Sequence, residues 1–120
     1  PQVEFSGAEF IALLKPLQHR AYSISSSGKA HPDTVHLTVA SVRYDAHGRH
    51  HKGVCSTYLA DMVDESTDVR VFFTPNNSFR VPQDDSLPMI MVGPGTGIAP
   101  FRAFLQEREF RQAQGARPHA

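Results

Sequence analysis

Three places in the sequence combine residue types at spacings that suit a phosphate-bearing ligand. Arg20-Ala21-Tyr22-Ser23 sets a planar guanidinium fork, a flat ring with a polar tip and a small hydroxyl side by side. The fork matches a phosphate, the ring offers a stacking face, and a serine fits beside a ring heteroatom. The same spacing also suits an arginine on the surface and a tyrosine in the core of one strand. Gly53-Val54-Cys55-Ser56-Thr57 runs into a helical pattern. The amides and positive dipole end of a helix start attract an anion, and Gly53 would let the backbone approach it. A plain capped helix is the alternative there. Gly93-Pro94-Gly95-Thr96-Gly97 follows an apolar run and precedes a helix with Pro100 in its first turn. Its glycines are costly in conformational entropy unless the backbone geometry needs them, which favours phosphate binding. The third glycine nevertheless comes one residue early for G-x-G-x-x-G.

Two other groups carry less. His47, His50 and His51 sit on a polar turn with Gly48 and Arg49 rather than on a helix and lack a cysteine partner nearby, so a solvated hairpin tip and no metal site is expected. Cys55 has no evident histidine partner, which weighs against a catalytic thiol, although a helix start would lower its pKa.

The elements that must position these residues follow from patterning. Ser6-Gly7-Ala8-Glu9 has the form of a capping box, with Phe5 and Phe10 placed as a hydrophobic staple. The short helix it opens should stop before Pro16. Arg20 to Ser27 and Val35 to Tyr44 read as strands, and Asp45 to Gly48 as a turn. Thr57 to Val63 reads as a helix with Ser56 as N-cap and Tyr58, Leu59, Met62 and Val63 on its apolar face. Val69 to Phe73 and Phe79 to Val81 read as further antiparallel strands with one wet face. Met89 to Val92 is apolar on both faces, as a strand covered on both sides of a parallel sheet must be. The closing helix carries Phe101, Phe104 and Leu105, pairs Glu107 with Arg111, and ends at Gly115 and Pro118.

The fold class expected is mainly β with α. Residues 1–85 form a partial antiparallel barrel, and residues 86–120 start a second domain with one β-α unit, the two joined by a linker from Gln83 to Pro88. About four strand candidates are too few to close even a small barrel, and one β-α unit cannot cover both faces of its strand. Either the second half docks on the first, or units are missing; truncation is the favoured expectation.

Composition narrows the function classes. The 12 Lys+Arg balance 12 Asp+Glu, which speaks against nucleic acid as a partner. At 40% apolar and 20% charged residues the chain should fold, with enough length for one core. One cysteine excludes an internal disulfide and suits a reducing, cytoplasmic setting. No apolar run approaches the roughly 20 residues of a membrane span, and the start Pro1-Gln2-Val3-Glu4 resembles neither a signal peptide nor a natural N-terminus.

Taken in order, R-A-Y-S-I-S-S, V-x-L-T-V, G-V-C-S-T-Y-L-A-D and M-V-G-P-G-T-G-I-A-P-F-R-A-F-L-Q-E-R resemble the ferredoxin-NADP reductase and diflavin reductase family. V-R-Y-D-x-x-G-R and N-x-F-R-V-P are similar to its sulfite-reducing branch. The resemblance covers nearly all of residues 16 to 112. It implies an FAD-binding barrel followed by a Rossmann-like NADP-binding domain. It also implies an NADPH-dependent flavoprotein oxidoreductase whose electrons pass by way of an FMN-binding domain to a haem-containing acceptor subunit. Another haem acceptor, such as a cytochrome, is the alternative. By resemblance, Arg20, Ala21, Tyr22 and Ser23 hold FAD, with Arg20 on the pyrophosphate, Tyr22 against the isoalloxazine and Ser23, the catalytic candidate, near the nitrogen that accepts hydride. Thr38, Val39 and Ala40 would line the flavin, Tyr44 would lie by the adenosine, and Gly53, Val54, Cys55 and Ser56 would cradle the pyrophosphate. Gly93, Gly95, Thr96 and Gly97, with Arg102, would start the NADP site. Ala40 stands where the family often has glycine. The family's opening strands, 2′-phosphate-reading segment and C-terminal aromatic lie outside the sequence, so the chain alone is not expected to transfer hydride.

Overall fold

The first helix forms where local chemistry demands it. In the computed structural model, which describes residues 4–115, α1 spans Gly7–Leu13. The Ser6 hydroxyl accepts from the Glu9 amide at 3.3 Å, and the Glu9 carboxylate accepts from the Ser6 amide at 2.9 Å. The Ser6 hydroxyl, which also donates to that carboxylate at 2.7 Å, and then the Ser6 amide hold the Glu9 carboxyl below its ordinary range. Leu14, already extended, closes the helix shortly before Pro16. No residue of α1 is buried.

The regular sheet is a hairpin. Strands β1 (Arg43–Ala46) and β2 (Arg49–Lys52) pair antiparallel with Tyr44 opposite His51 and Asp45 opposite His50. His47 at φ 51° and Gly48 at φ 70° make the two-residue connection, the left-handed pair that matches the twist of a hairpin. The turn lies where expected. The strand after it does not follow from the pattern, because Arg49-His50-His51-Lys52 shows no apolar alternation.

The remaining strand expectations are corrected. The segments Arg20 to Ser27 and Val35 to Tyr44 meet in one antiparallel bridge, Ile24 with Leu37, where the Ser25 amide donates to the His36 carbonyl at 2.8 Å. Val69 to Phe73, Phe79 to Val81 and Met89 to Val92 form no ladder among the described residues. Ile90 is 95% exposed and Val92 81%, so the run expected to be covered on both faces is bare. The physical reason is the same throughout: a strand is completed by a neighbour's amides and carbonyls, and no described segment supplies them.

Helix α2 spans Val54–Asp61, starting three residues before the expected Thr57. Its N-cap is Gly53 and Ser56 lies inside the first turn, which corrects the expectation that Ser56 caps it. The buried side chains on α2 are Ser56 and Thr57, whereas Met62, expected on an apolar face, is 70% exposed. A 3-10 turn, Gly95–Ile98, leads into α3, Ala99–Ala113, with Pro100 in its first turn and Gly115 at φ 97° just beyond its end. Pro118 lies outside the described residues.

α3 organises the packing. Arg111 donates to the Pro82 carbonyl at 2.7 Å, to Asp85 at 2.9 Å and to Glu107 at 2.5 Å, and Arg108 donates to the Leu87 carbonyl. The stretch from Gln83 to Pro88, expected as a linker, is thus pinned to the helix. Lys29 pairs with Glu107 at 3.0 Å, and the rings of Phe79, Phe101 and Phe104 cluster with centroids 5.1–6.2 Å apart. Among the described residues the buried apolar side chains are Val81 and Ala99, while Ser25, Ser26, Ser27, Ser56 and Thr57 are buried polar residues. The single apolar core expected from length is therefore absent among the described residues. The radius of gyration is 20.6 Å, against the roughly 14 Å of a compact domain of this length.

Candidate functional site

Gly53 is where the site begins. Its amide donates to the Val42 carbonyl at 2.9 Å, and its own carbonyl accepts from the Thr57 hydroxyl at 2.8 Å and the Ser56 hydroxyl at 3.4 Å. The Ser56 hydroxyl accepts in turn from the Val42 amide at 3.1 Å. A Cβ on residue 53 would lie 2.6 Å from Ser56 Oγ and 2.9 Å from Val42 Cβ. Only glycine lets the chain pass this close to Val42, and that approach sets where α2 starts. No side chain caps α2, so its first-turn amides and the positive end of its dipole remain available to an anion.

Those first-turn residues line a cavity of about 330 Å³. Val54, Cys55 and Ser56 form one wall with Gly53, and Thr38, Val39, Ala40 and Val42 form a second. Arg20 and Tyr22 close it from the preceding segment, and Thr96 reaches it from the glycine loop. The Arg20 guanidinium donates to its neighbour's carbonyl, His19, at 3.3 Å, and its other nitrogens have no protein partner among the described residues. The Cys55 thiol beside the Tyr22 phenol, helped by desolvation and opposed by the nearby Arg20 charge, pushes the phenol above its ordinary pKa.

The structure therefore gathers Arg20, Tyr22, Thr38, Val39, Ala40, Gly53, Val54, Cys55, Ser56 and Thr96, which come from four separate stretches of sequence. It places the other candidates elsewhere. Ala21 and Ser23 are exposed and do not line the cavity. Tyr44 stacks on His51, with ring centroids 5.0 Å apart and planes 12° from parallel. Gly93 is held tightly inside its own loop: a Cβ there would lie 2.5 Å from the Gly97 carbonyl oxygen and 2.7 Å from the Phe101 ring. Gly95 adopts φ 57°, and the Gly97 amide donates to the Pro94 carbonyl at 3.0 Å. Arg102 points to the Ser25 carbonyl, 2.8 Å away. Val42 is the lining residue that sequence reasoning passed over. The signal was its place in the alternation, two residues beyond Ala40 on the face shared with Thr38.

The histidines are tied to the hairpin, with His50 Nδ1 2.9 Å from Asp45 and His51 against Tyr44. No cluster of three or more metal-ligating side chains occurs among the described residues, and no helix there is long and apolar enough to cross a membrane. Arginine, uncapped amides, a neutral tyrosine and an apolar wall around one cavity form a donor set for a ligand that joins an anion to an aromatic ring.

Comparison with known proteins agrees with that chemistry. Residues 1–58 match the FAD binding domain family. The NADPH sulfite reductase flavoprotein alpha-component of Bacillus subtilis (strain 168) is 51% identical over 92% of this chain and 18% of its own length. That of Photorhabdus laumondii is 54% identical over 89% of this chain and 18% of its own length, and that of Escherichia coli O157:H7 is 50% identical over 94% and 20%. The chain spans about a fifth of the length of these relatives. Over some nine-tenths of its residues, then, the chain is about half-identical to one segment of the NADPH sulfite reductase flavoprotein alpha-component, and its own residues 1–58 match an FAD binding domain.

Proposed function

We propose that this chain is the dinucleotide-holding segment of an NADPH-dependent flavoprotein oxidoreductase that binds FAD and NADP and serves sulfite reduction. Its electrons pass through an FMN-binding domain to a haem-containing subunit. The observation that carries the reading is the gathering of Arg20, Tyr22, Thr38 to Ala40 and Gly53 to Ser56 around one cavity with the uncapped start of α2 in its wall. In this reading residues 1–85 contribute part of an FAD-binding barrel, and residues 86–120 open a Rossmann-like NADP-binding domain.

Each side chain has a task its chemistry suits. Arg20 and the first-turn amides of α2 hold the FAD pyrophosphate, a charge-assisted contact worth about 1.5–3 kcal/mol. Tyr22, beside Cys55 in the cavity wall, packs against the isoalloxazine. Thr38, Val39 and Ala40 flank the ring and exclude water from that side. Ser23, off the cavity wall but next to Tyr22, would offer its hydroxyl toward the ring nitrogen that receives hydride, and Tyr44 would offer the adenosine the face not covered by His51. Gly93 to Gly97 receive the NADP pyrophosphate, with Thr96 where that loop meets the flavin cavity. When bound, the dinucleotides would supply the redox chemistry, hydride transfer from reduced nicotinamide to flavin. The protein's part is to hold the rings in register.

The full-length protein of this reading frame, purified, should show flavin absorbance and oxidise NADPH. A colourless preparation that leaves NADPH untouched after incubation with FAD would overturn the assignment.

A further inference from the structure

We infer that Arg102 is a positioning residue that sets the offset between the glycine loop and the Arg20 to Ser27 segment, rather than a ligand of the NADP phosphates. The inference rests on the function proposed above and goes beyond it, because it assigns how the parts that hold the two dinucleotides are kept in register.

Two rigid pieces have to be joined. The first is the glycine loop with the start of α3. Gly93 lies so close to the Gly97 carbonyl and the Phe101 ring that no Cβ fits between them, and the Ala99 amide donates back to the Thr96 carbonyl. Loop and helix therefore move together. The second is the stretch that ends in Ser25, Ser26 and Ser27, all buried, with Ser25 1% exposed. It is tied across to His36 by the Ser25 amide at 2.8 Å and by the Ser26 hydroxyl, which accepts from the His36 amide at 3.0 Å.

Arg102 is the bolt between them. One guanidinium nitrogen donates to the Ser25 carbonyl at 2.8 Å and lies 3.3 Å from His36 Nδ1, so one side chain touches both sides of the Ile24–Leu37 bridge. One turn further along α3, Gln106 accepts from the Ser27 amide at 3.1 Å, and beside it Glu107 pairs with Lys29 at 3.0 Å. These contacts run along the helix in step with the chain they grip. Ser25 lies two residues from Ser23 and three from Tyr22, whereas Arg102 lies immediately after Phe101. Slack at Arg102 therefore translates the glycine loop relative to the FAD-binding residues. A misplacement of about 1 Å can cost up to roughly a hundredfold in rate while leaving each ligand's own contacts in place.

The test uses Arg102→Ala and Gln106→Ala in the full-length protein, with FAD content, NADPH affinity, the rate of flavin reduction at saturating NADPH, and amide exchange of residues 25–31 all measured. Expected for Arg102→Ala are normal FAD content, unchanged NADPH affinity, a reduction rate lower by roughly ten- to a hundredfold, and faster exchange over 25–31. Gln106→Ala should change the rate and the exchange in the same direction by less, and it decides the matter if Arg102→Ala does not fold. A weaker NADPH affinity with the saturated rate intact would make Arg102 a ligand and overturn the inference, and so would unchanged rate and exchange in both variants. If the unmodified protein neither holds flavin nor oxidises NADPH, the functional reading has failed by itself. Exchange over 25–31 then still decides the bolt, which falls if Arg102→Ala leaves that exchange unaltered.

Discussion

Replacing Gly53 by alanine isolates the close approach on which the cavity depends. The backbone there, φ −69° and ψ 119°, is one that alanine adopts freely, so the change adds no torsional strain and even removes some freedom from the unfolded chain, about 0.4–1 kcal/mol in favour of the variant. What opposes it is contact. The new methyl would sit 2.9 Å from Val42 Cβ, where carbon atoms rest at about 3.5–4.0 Å, so the two backbones must part by roughly 0.6 Å or more. It would also sit 2.6 Å from Ser56 Oγ. That hydroxyl can rotate away, at the loss of the acceptor for the Val42 amide, about 1 kcal/mol. Overpacking of this kind costs about 1–3 kcal/mol, which exceeds the gain from the unfolded state. Because the displacement moves the start of α2, FAD affinity should fall roughly five- to thirtyfold, the equivalent of about 1–2 kcal/mol. Thermal unfolding and quenching of FAD fluorescence during titration read the two effects separately. The double variant Gly53→Ala with Ser56→Ala removes the oxygen clash but keeps the Val42 clash, so it should recover only part of the loss. A Gly53→Ala protein with unaltered midpoint and affinity would refute the reasoning, since the methyl would then have found room where the geometry leaves none.

Two further outcomes follow from the same contacts. Arg20→Ala should weaken FAD retention by roughly ten- to a hundredfold through the lost phosphate contact, read as flavin occupancy after dialysis, and undiminished occupancy would remove Arg20 from the site. Glu107 titrates below its ordinary range: burial pushes its carboxyl up, but hydrogen bonds from Lys29 and Arg111 outweigh that. A lowered folded value means the carboxylate's contribution is complete above the unfolded value of about 4.3 and is lost as the pH drops through the folded one. The unfolding midpoint should therefore fall on acidification below about pH 4, and less steeply in Glu107→Gln; parallel slopes would show that the Lys29–Glu107–Arg111 cluster does not contribute.

What was legible in the sequence was local. The capping box at Ser6 and Glu9, the turn at Asp45 to Gly48, and α3 with its early proline and Glu107–Arg111 pair each depend on residues a few positions apart, and each formed. The cavity was legible for a different reason: arginine, tyrosine and glycine at these spacings suit one phosphate-bearing ligand, and ten of the candidates line it. Strands were not legible in the same way. Alternation in Val35 to Tyr44 or Val69 to Phe73 tells which side chains share a face but says nothing of who pairs with whom, and pairing is what makes a strand. Ser56 misled because its hydroxyl turned inward to the Val42 amide, fourteen positions away, instead of capping its own helix. The burial of Ser25 to Ser27 under α3, and the pinning of Pro82 to Leu87 by Arg111 and Arg108, are likewise contacts between distant segments of chain.

The contact between Arg102 and His36 also has a direction. A guanidinium has hydrogens to give and no lone pair to offer, so in any hydrogen bond across this 3.3 Å gap the arginine is the donor and the imidazole nitrogen the acceptor. The His31 ring, with its centroid 4.7 Å from that of His36, lies against the same imidazole, so the ring is flanked by a neighbouring aromatic while its Nδ1 faces the helix.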